Sequence, residues 1–147
     1  MKKGSFDLVL LDVNVLLALA WPNHQFHTAA RRRLEAGKGR WATCALTELG
    51  FVRLSSNTSV VGVSRSPLEA AMLLAAMAED SRHVYLESLP SPACQPFLRS
   101  FEDILGSKQV TDAYLLALAL KNRAVLLTFD TRIATFSGST GAIEVLT

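Results

Sequence analysis

Two short apolar runs, each closed by an aspartate, constrain this chain more than any other feature. Leu8–Leu11 leads directly into Asp12, and Ala124–Phe129 (AVLLTF) leads directly into Asp130. Neither run alternates apolar with polar residues, as a strand with one wet face would. Uninterrupted runs of this length suit strands covered on both faces, as in a parallel sheet. Trp41–Cys44, Val84–Leu86 and Ile143–Leu146 read as further strands. Helical stretches lie between them, the first entered directly from the strand that ends at Leu11. Residues 24–36 carry Phe26, Ala29, Ala30 and Leu34 on one face, and residues 45–55 form another helix. Ser66-Pro67-Leu68-Glu69 is a capping box with proline at the first helical position, and it opens an apolar helix that runs to Ala78. Ser88–Pro92 reads as a loop and Pro96–Leu105 as helix. Thr111 is expected to cap a helix over Asp112–Lys121, apolar nearly all round and therefore buried. Strands alternating with helices give a three-layer α/β/α domain with a central, mainly parallel sheet and right-handed crossovers.

Size agrees with one such domain. A chain of 147 residues, half of them apolar and 19% charged, can bury one sizeable core over 1–147 but not two. No segment has the composition of a disordered tract, and no repeat is visible. Cys44 and Cys94 form no C-x-x-C pair and read as free thiols of a reducing compartment. Lys2 and Lys3 precede an apolar run ending in Ala18-Leu19-Ala20, which superficially resembles a signal peptide. Asp7, Asp12 and Asn14 interrupt that run, so it suits neither a signal peptide nor a membrane span, and a cytoplasmic protein is expected. The net charge of +2 is weak support for a nucleic-acid partner. Arg31, Arg32, Arg33, Lys38 and Arg40 crowd together, opposed only by Glu35, and a solvated helix face is the simpler reading of that run.

The acids say more. Open parallel sheets place their ligand crevice beyond the carboxyl ends of the strands, which offers Asp12 and Asp130 to one site. Asp112 opens the buried helix, and Glu48 follows the Trp41 strand. If both helices start at that edge, four carboxylates converge. Like charges at close range raise one another's pKa, and a divalent cation makes the arrangement favourable. An all-oxygen set without Cys or His suits Mg2+ or Mn2+. Such ions polarise a phosphoryl oxygen and generate hydroxide from water. A second reading stands beside this one. Asp12, Asp112 and Asp130 each sit at a predicted helix N-terminus, where acids cap backbone N–H groups, and Glu48 also fits an exposed helix position. Periodicity leaves both readings open.

Four segments, LLDVNVLLAL (10–19), TELGFVR (47–53), VTDAYLLALA (110–119) and LLTFDTRIA (126–134), resemble the motifs of PIN-domain nucleases, in the family's order and at compatible spacings. The resemblance is greatest to VapC toxins of bacterial toxin–antitoxin pairs and runs from about residue 7 to the end. It implies a PIN fold, metal-dependent endonucleolytic cleavage of RNA, and inhibition by a small VapB-type antitoxin. It assigns the metal and the catalysis to Asp12, Glu48, Asp112 and Asp130, with Asn14, Thr111 and Thr128 in support. One departure is visible. Many relatives carry another acid shortly after the fourth aspartate, whereas Thr131, Arg132 and Ile133 follow here. One metal held by protein alone is therefore expected, with a second only alongside RNA phosphate. A housekeeping RNA-processing nuclease and a PIN-like binding module without catalysis are the alternatives, and the intact acids argue against the second.

Other residues carry less. His24 and His27, one helical turn apart, read as polar residues near a helix start, with RNA contact or assistance in proton transfer as the alternatives. His83 carries no signal, and Arg53 reads as a surface residue. Gly50 inside a helix costs roughly 1 kcal/mol against Ala and is expected only where close packing compensates. The apolar stretch Leu68–Ala78 is expected to serve as core, or as the contact surface of a homodimer or of the antitoxin's own helix.

Overall fold

The computed structural model describes residues 7–37, 39–62, 65–102, 104, 106–135 and 141–147. Its strands are β1 (Leu8–Leu11), β2 (Arg40–Cys44), β3 (His83–Leu86), β4 (Val125–Thr128) and β5 (Ile143–Val145). They form one sheet in the order β3-β2-β1-β4-β5, and every pairing is parallel. The pleat divides the apolar runs between two cores, which is why the runs need no alternation. Leu10, Ala42 and Leu126 face one side, while Val9, Leu11, Trp41 and Leu127 face the other.

The α-helices among the described residues are α1 (Val13–Ala20), α2 (His27–Ala36), α3 (Ala45–Ser55), the single turn α4 (Thr58–Val61), α5 (Pro67–Met77) and α6 (Val110–Lys121). On one face lies α6, with Ala113, Tyr114, Leu115, Leu116, Leu118 and Ala119 all buried and Phe97 packed beside it. Opposite lie α1 and α3, with Val15, Leu16, Leu17 and Phe51 buried, and α5 contributes Leu74. The three-layer α/β/α architecture with a parallel sheet is therefore the observed one. The capping box also forms: the Ser66 side chain accepts from the Glu69 N–H at 3.0 Å, and Glu69 accepts from the Ser66 N–H at 2.8 Å.

Apart from shifts of a single residue at element ends, three segments differ from expectation. α6 begins at Val110 rather than Asp112, because the 3-10 turn Ser107–Gln109 winds straight into it. Gln109 takes the N-cap position, and no side chain caps this helix. Thr111 is thus an exposed first-turn residue and not a cap. The expected helix at Pro96–Leu105 is a 3-10 turn over Phe97–Phe101 (Leu105 lies outside the described residues). α2 starts at His27 instead of residue 24, because the His24 Nδ1 accepts from the Phe26 N–H at 3.1 Å and holds a turn ahead of it.

The basic run of α2 is largely a solvated face. Arg31 pairs with Glu35 along the helix, and Arg33 makes a two-pronged bond to Glu144 on β5 at 2.6 and 2.9 Å. Lys38, like Lys2 and Lys3, lies outside the described residues. Cys44 is buried, Cys94 is exposed, and both are free thiols. Among the described residues no helix is long and apolar enough to cross a membrane.

Gly50 is where α3 meets α1. A Cβ built there would lie 2.9 Å from Val13 Cγ2, on a β-branched side chain that turns away only with difficulty. Gly50→Ala should therefore forfeit its gain in helix propensity and lower stability by about 1 kcal/mol in urea unfolding. A stabilisation of about 1 kcal/mol, as for an unencumbered helical glycine, would contradict this packing.

Candidate metal centre at the carboxyl edge of the sheet

Chain direction decides where the chemistry can sit. From β1 the connections run outward to β2 and β3, and the chain then returns through α6 to place β4 on the other side of β1. The order reverses between β1 and β4, and the crevice of a parallel sheet opens beyond the carboxyl ends at such a reversal. Asp12 follows β1 and Asp130 follows β4 by two residues, so both stand at that crevice. The Asp12 amide donates to the Leu127 carbonyl at 2.9 Å, extending the β1–β4 pairing up to the aspartate itself.

Asp12 is buried, at 6% exposure, and firmly held. Its Oδ1 accepts from the Val13 N–H at 2.8 Å, and its Oδ2 accepts from the Thr128 hydroxyl at 2.7 Å. The same hydroxyl accepts from the Asp130 N–H at 3.0 Å, so Thr128 fixes both aspartates at once. Burial raises the pKa of Asp12, its two hydrogen bonds oppose the rise, and the charge of Asp130 adds to it. Asp130 is tied to Arg132. Its Oδ1 accepts from the Arg132 backbone N–H and Nε at 2.9 and 3.0 Å, and its Oδ2 accepts from Nη2 at 2.8 Å. That guanidinium holds the Asp130 carboxyl below its ordinary range. Asp112, in the first turn of α6, is half-buried and pushed up to about 6. Burial is the main cause, the charges of Asp12 and Asp130 follow, and Arg132 opposes them.

The cap and site readings of these acids therefore coexist. Asp12 caps α1, and Asp130 anchors the 3-10 turn Thr131–Thr135. Asp112 caps nothing, since Gln109 holds that position.

Asp12, Asp112 and Asp130 act on one another through their charges, and Glu48 has a partner of its own. It sits in the first turn of α3, where its Oε2 accepts from the Thr43 hydroxyl at 2.7 Å. The Thr43 Oγ1 also lies 2.7 Å from His83 Nε2. One hydroxyl has one proton, so a Thr43 that donates to Glu48 must accept from a protonated Nε2. Burial lowers the pKa of His83, while the charge of Glu48 and a backbone bond to Ala78 oppose that. The charges acting on Asp112 come from Asp12, Asp130 and Arg132. Of the supporting residues, Thr128 is fully buried between Asp12 and Asp130, while Asn14 and Thr111 are exposed. His24 lies against Phe129, their rings 6.3 Å apart, and His27 Nδ1 lies 2.7 Å from the Ala18 carbonyl, so both hold local structure.

Sequence reasoning missed Thr43, His83 and the pairing of Arg132. A lone hydroxyl in the buried run W-A-T-C was the available signal for Thr43. An arginine two residues after an aspartate was the signal for the pair. Nothing along the chain links residue 83 to residue 43, because only the β2–β3 register brings them together.

Among the described residues no three His, Cys, Asp or Glu side chains stand close enough to hold an ion jointly as they lie. The arrangement still fits a hard cation. Three oxygen-donor acids share one crevice, one of them is driven to about 6, and Asp130 already carries a positive group on both of its oxygens. Arg132 supplies the positive charge on Asp130.

The profile of the PIN domain matches residues 9–138. The chain belongs to that family. Within it, this PIN domain is 42% identical to Ribonuclease VapC39 of Mycobacterium tuberculosis strain H37Rv over 138 residues, which is 93% of this chain and 98% of the relative. It is 38% identical to Ribonuclease VapC38 of the same strain over 131 residues, 88% and 90% of the two chains. It is thus a VapC-type PIN domain. The fold is also similar to a crystal structure of M. tuberculosis VapC20, described as a Sarcin-Ricin loop cleaving toxin. The TM-score is 0.65 at 16% identity, over 95% of this chain and 99% of that one.

The raised Asp112 has a measurable consequence. Between pH 4 and 6 the unfolded chain releases the Asp112 proton while the folded chain retains it, so stability falls as pH rises through that window and stays low above it. Asp112→Asn should therefore melt higher than wild type at pH 7.5 and equal to it near pH 4. After solvent screening the difference should be roughly 1 kcal/mol, about 2–4 °C for a chain of this size. An equal or lower melting temperature for the variant at pH 7.5 would contradict the crowding of these charges.

Proposed function

We propose that this PIN domain, acting as a single unit over 1–147, is a Mg2+- or Mn2+-dependent endoribonuclease and the toxin of a toxin–antitoxin pair in the cytoplasm. The observation that carries the proposal is the crowding of Asp12, Asp112 and Asp130 at the β1–β4 reversal, in a chain whose relatives are named ribonucleases. These three, joined by Glu48, would hold the ion. When bound, a divalent cation supplies charge to a phosphoryl oxygen and acidifies a water for in-line attack. Asp12 is the fixed member, since Thr128 and the Val13 N–H leave its carboxylate no freedom to turn. Asp112 is the adjustable one, uncapped and half-buried. Glu48 has one oxygen taken by the Thr43 hydroxyl, and its other oxygen would serve the ion. Asp130 would hold the ion beside Arg132, whose guanidinium donates to both of its carboxylate oxygens.

A small VapB-type antitoxin would silence this site by placing a basic side chain over the acids, relieving the same repulsion that the metal relieves. Leu49, Leu68 and Met72, exposed at 68, 69 and 63% on α3 and α5, support a homodimer or an antitoxin contact on that face. Leu74, in contrast, belongs to the core.

Two measurements test the reading. Asp12→Asn keeps the shape and the capping oxygen and removes the charge, so it should abolish metal-dependent RNA cleavage while the protein stays folded. Near-normal cleavage by the folded variant would overturn the assignment. Saturating Mn2+ should raise the wild-type melting temperature, by about 2–3 kcal/mol of stabilisation at a hundredfold excess over Kd, and leave Asp12→Asn unmoved. A melting curve indifferent to metal would count against a site.

A further inference from the structure

Beside the acids, along the same edge of the sheet, lies an apolar cavity of about 330 Å3. Its walls come from the start of α3, the loop after β3 and the start of α6. Pro90, Phe101 and Tyr114 supply ring surfaces, and Leu46 and Val110 form its rim, exposed at 39 and 43%. The hydroxyl-bearing residues Ser91 and Thr111 also line it. We propose that this cavity receives one unstacked nucleobase of the RNA, adjacent to the scissile phosphate. The inference rests on the ribonuclease reading and names the substrate feature that reading leaves open.

Position is the first argument. The acids stand beyond β1 and β4, and the cavity lies beyond β2 and β3 in the unbroken order β3-β2-β1-β4. Neighbouring strands are about 5 Å apart, so the cavity is displaced from the acids by one to two strand widths, within the reach of a single nucleotide. The chain itself joins the two sites: Thr111 lines the cavity, and the next residue is Asp112.

Chemistry is the second. The walls are overwhelmingly apolar, which excludes a phosphate and suits a flat neutral heterocycle stacked on aromatic and proline rings. Hydroxyls near the mouth can meet the polar edge of a base. The cavity is also pre-formed. The Tyr114 hydroxyl donates to the Pro90 carbonyl at 2.5 Å, and the Tyr114 ring packs on Phe97 at 5.0 Å, so α6 and the loop after β3 are locked together. A base paired within a helix cannot present both faces to such a slot, whereas an unpaired one can.

The test uses the full chain with Mn2+ and a short unstructured oligoribonucleotide whose cut position has been mapped. Abasic ribose is placed at each nucleotide around the cut in turn. One abasic position next to the cut should lower kcat/KM about tenfold, the scale of losing one base–aromatic stack. Val110→Trp, which plugs the mouth, should lower kcat/KM on intact RNA by a similar factor and reduce the abasic effect to under twofold. Leu46→Ala should weaken both in the same direction. Both residues are exposed, and an unchanged Mn2+-induced rise in melting temperature shows the acids undisturbed. If wild type cuts RNA but no abasic position costs more than twofold, or if Val110→Trp keeps the full base dependence, the cavity is not a base site and the ribonuclease reading stands. If wild type does not cut RNA at all, both fall.

Discussion

The Thr128 hydroxyl, sealed between the ends of β1 and β4, donates to the Asp12 carboxylate and accepts from the Asp130 backbone. Everything distinctive about the crevice depends on that joint. A buried carboxylate is costly, and Asp12 persists because Thr128 and the Val13 N–H meet its two oxygens. The position of Thr128 depends in turn on the parallel pairing of β1 with β4, which exists only because α6 carries the chain back across the sheet.

The charges at the crevice are unbalanced in a way that a structural role does not require. Asp130 has its partner in Arg132, and Asp12 has its hydrogen bonds, but Asp112 bears the cost of burial and the repulsion of both and caps nothing. A protein selected only for stability would neutralise that position. Retaining the acid fits a site that awaits a cation, and Arg132 limits the cost in the meantime by sitting on Asp130 and drawing on Asp112. Glu48 accepts from the Thr43 hydroxyl, which in turn meets His83.

Much of this was legible in the chain, and the limits follow from what a sequence encodes locally. Apolar runs such as Leu8–Leu11 carry their own signal for buried parallel strands, and the Ser66–Glu69 box marks α5 outright. The aspartates after β1 and β4 could be placed at one edge because a parallel sheet has only one carboxyl edge. The start of α6 was misplaced because Thr111 has the composition of a cap while the preceding 3-10 turn makes a cap unnecessary. The element carrying Glu48 places it at the same edge, whereas the hydrogen-bond partners of its side chain come from strand pairing. Thr43 and His83 are 40 residues apart, and only strand register makes them neighbours of Glu48. The role of Gly50 needed the α1–α3 approach at Val13 to become visible.

The central claim is that Asp12, Asp112 and Asp130 act as one divalent-cation site. Direct Mn2+ binding at pH 7.5, followed by the loss of the free-ion paramagnetic resonance signal, tests it without reference to any substrate. The account predicts saturation near one ion per chain, with affinity at least tenfold weaker in both Asp12→Asn and Asp112→Asn. Wild-type affinity and stoichiometry in either folded variant would contradict it.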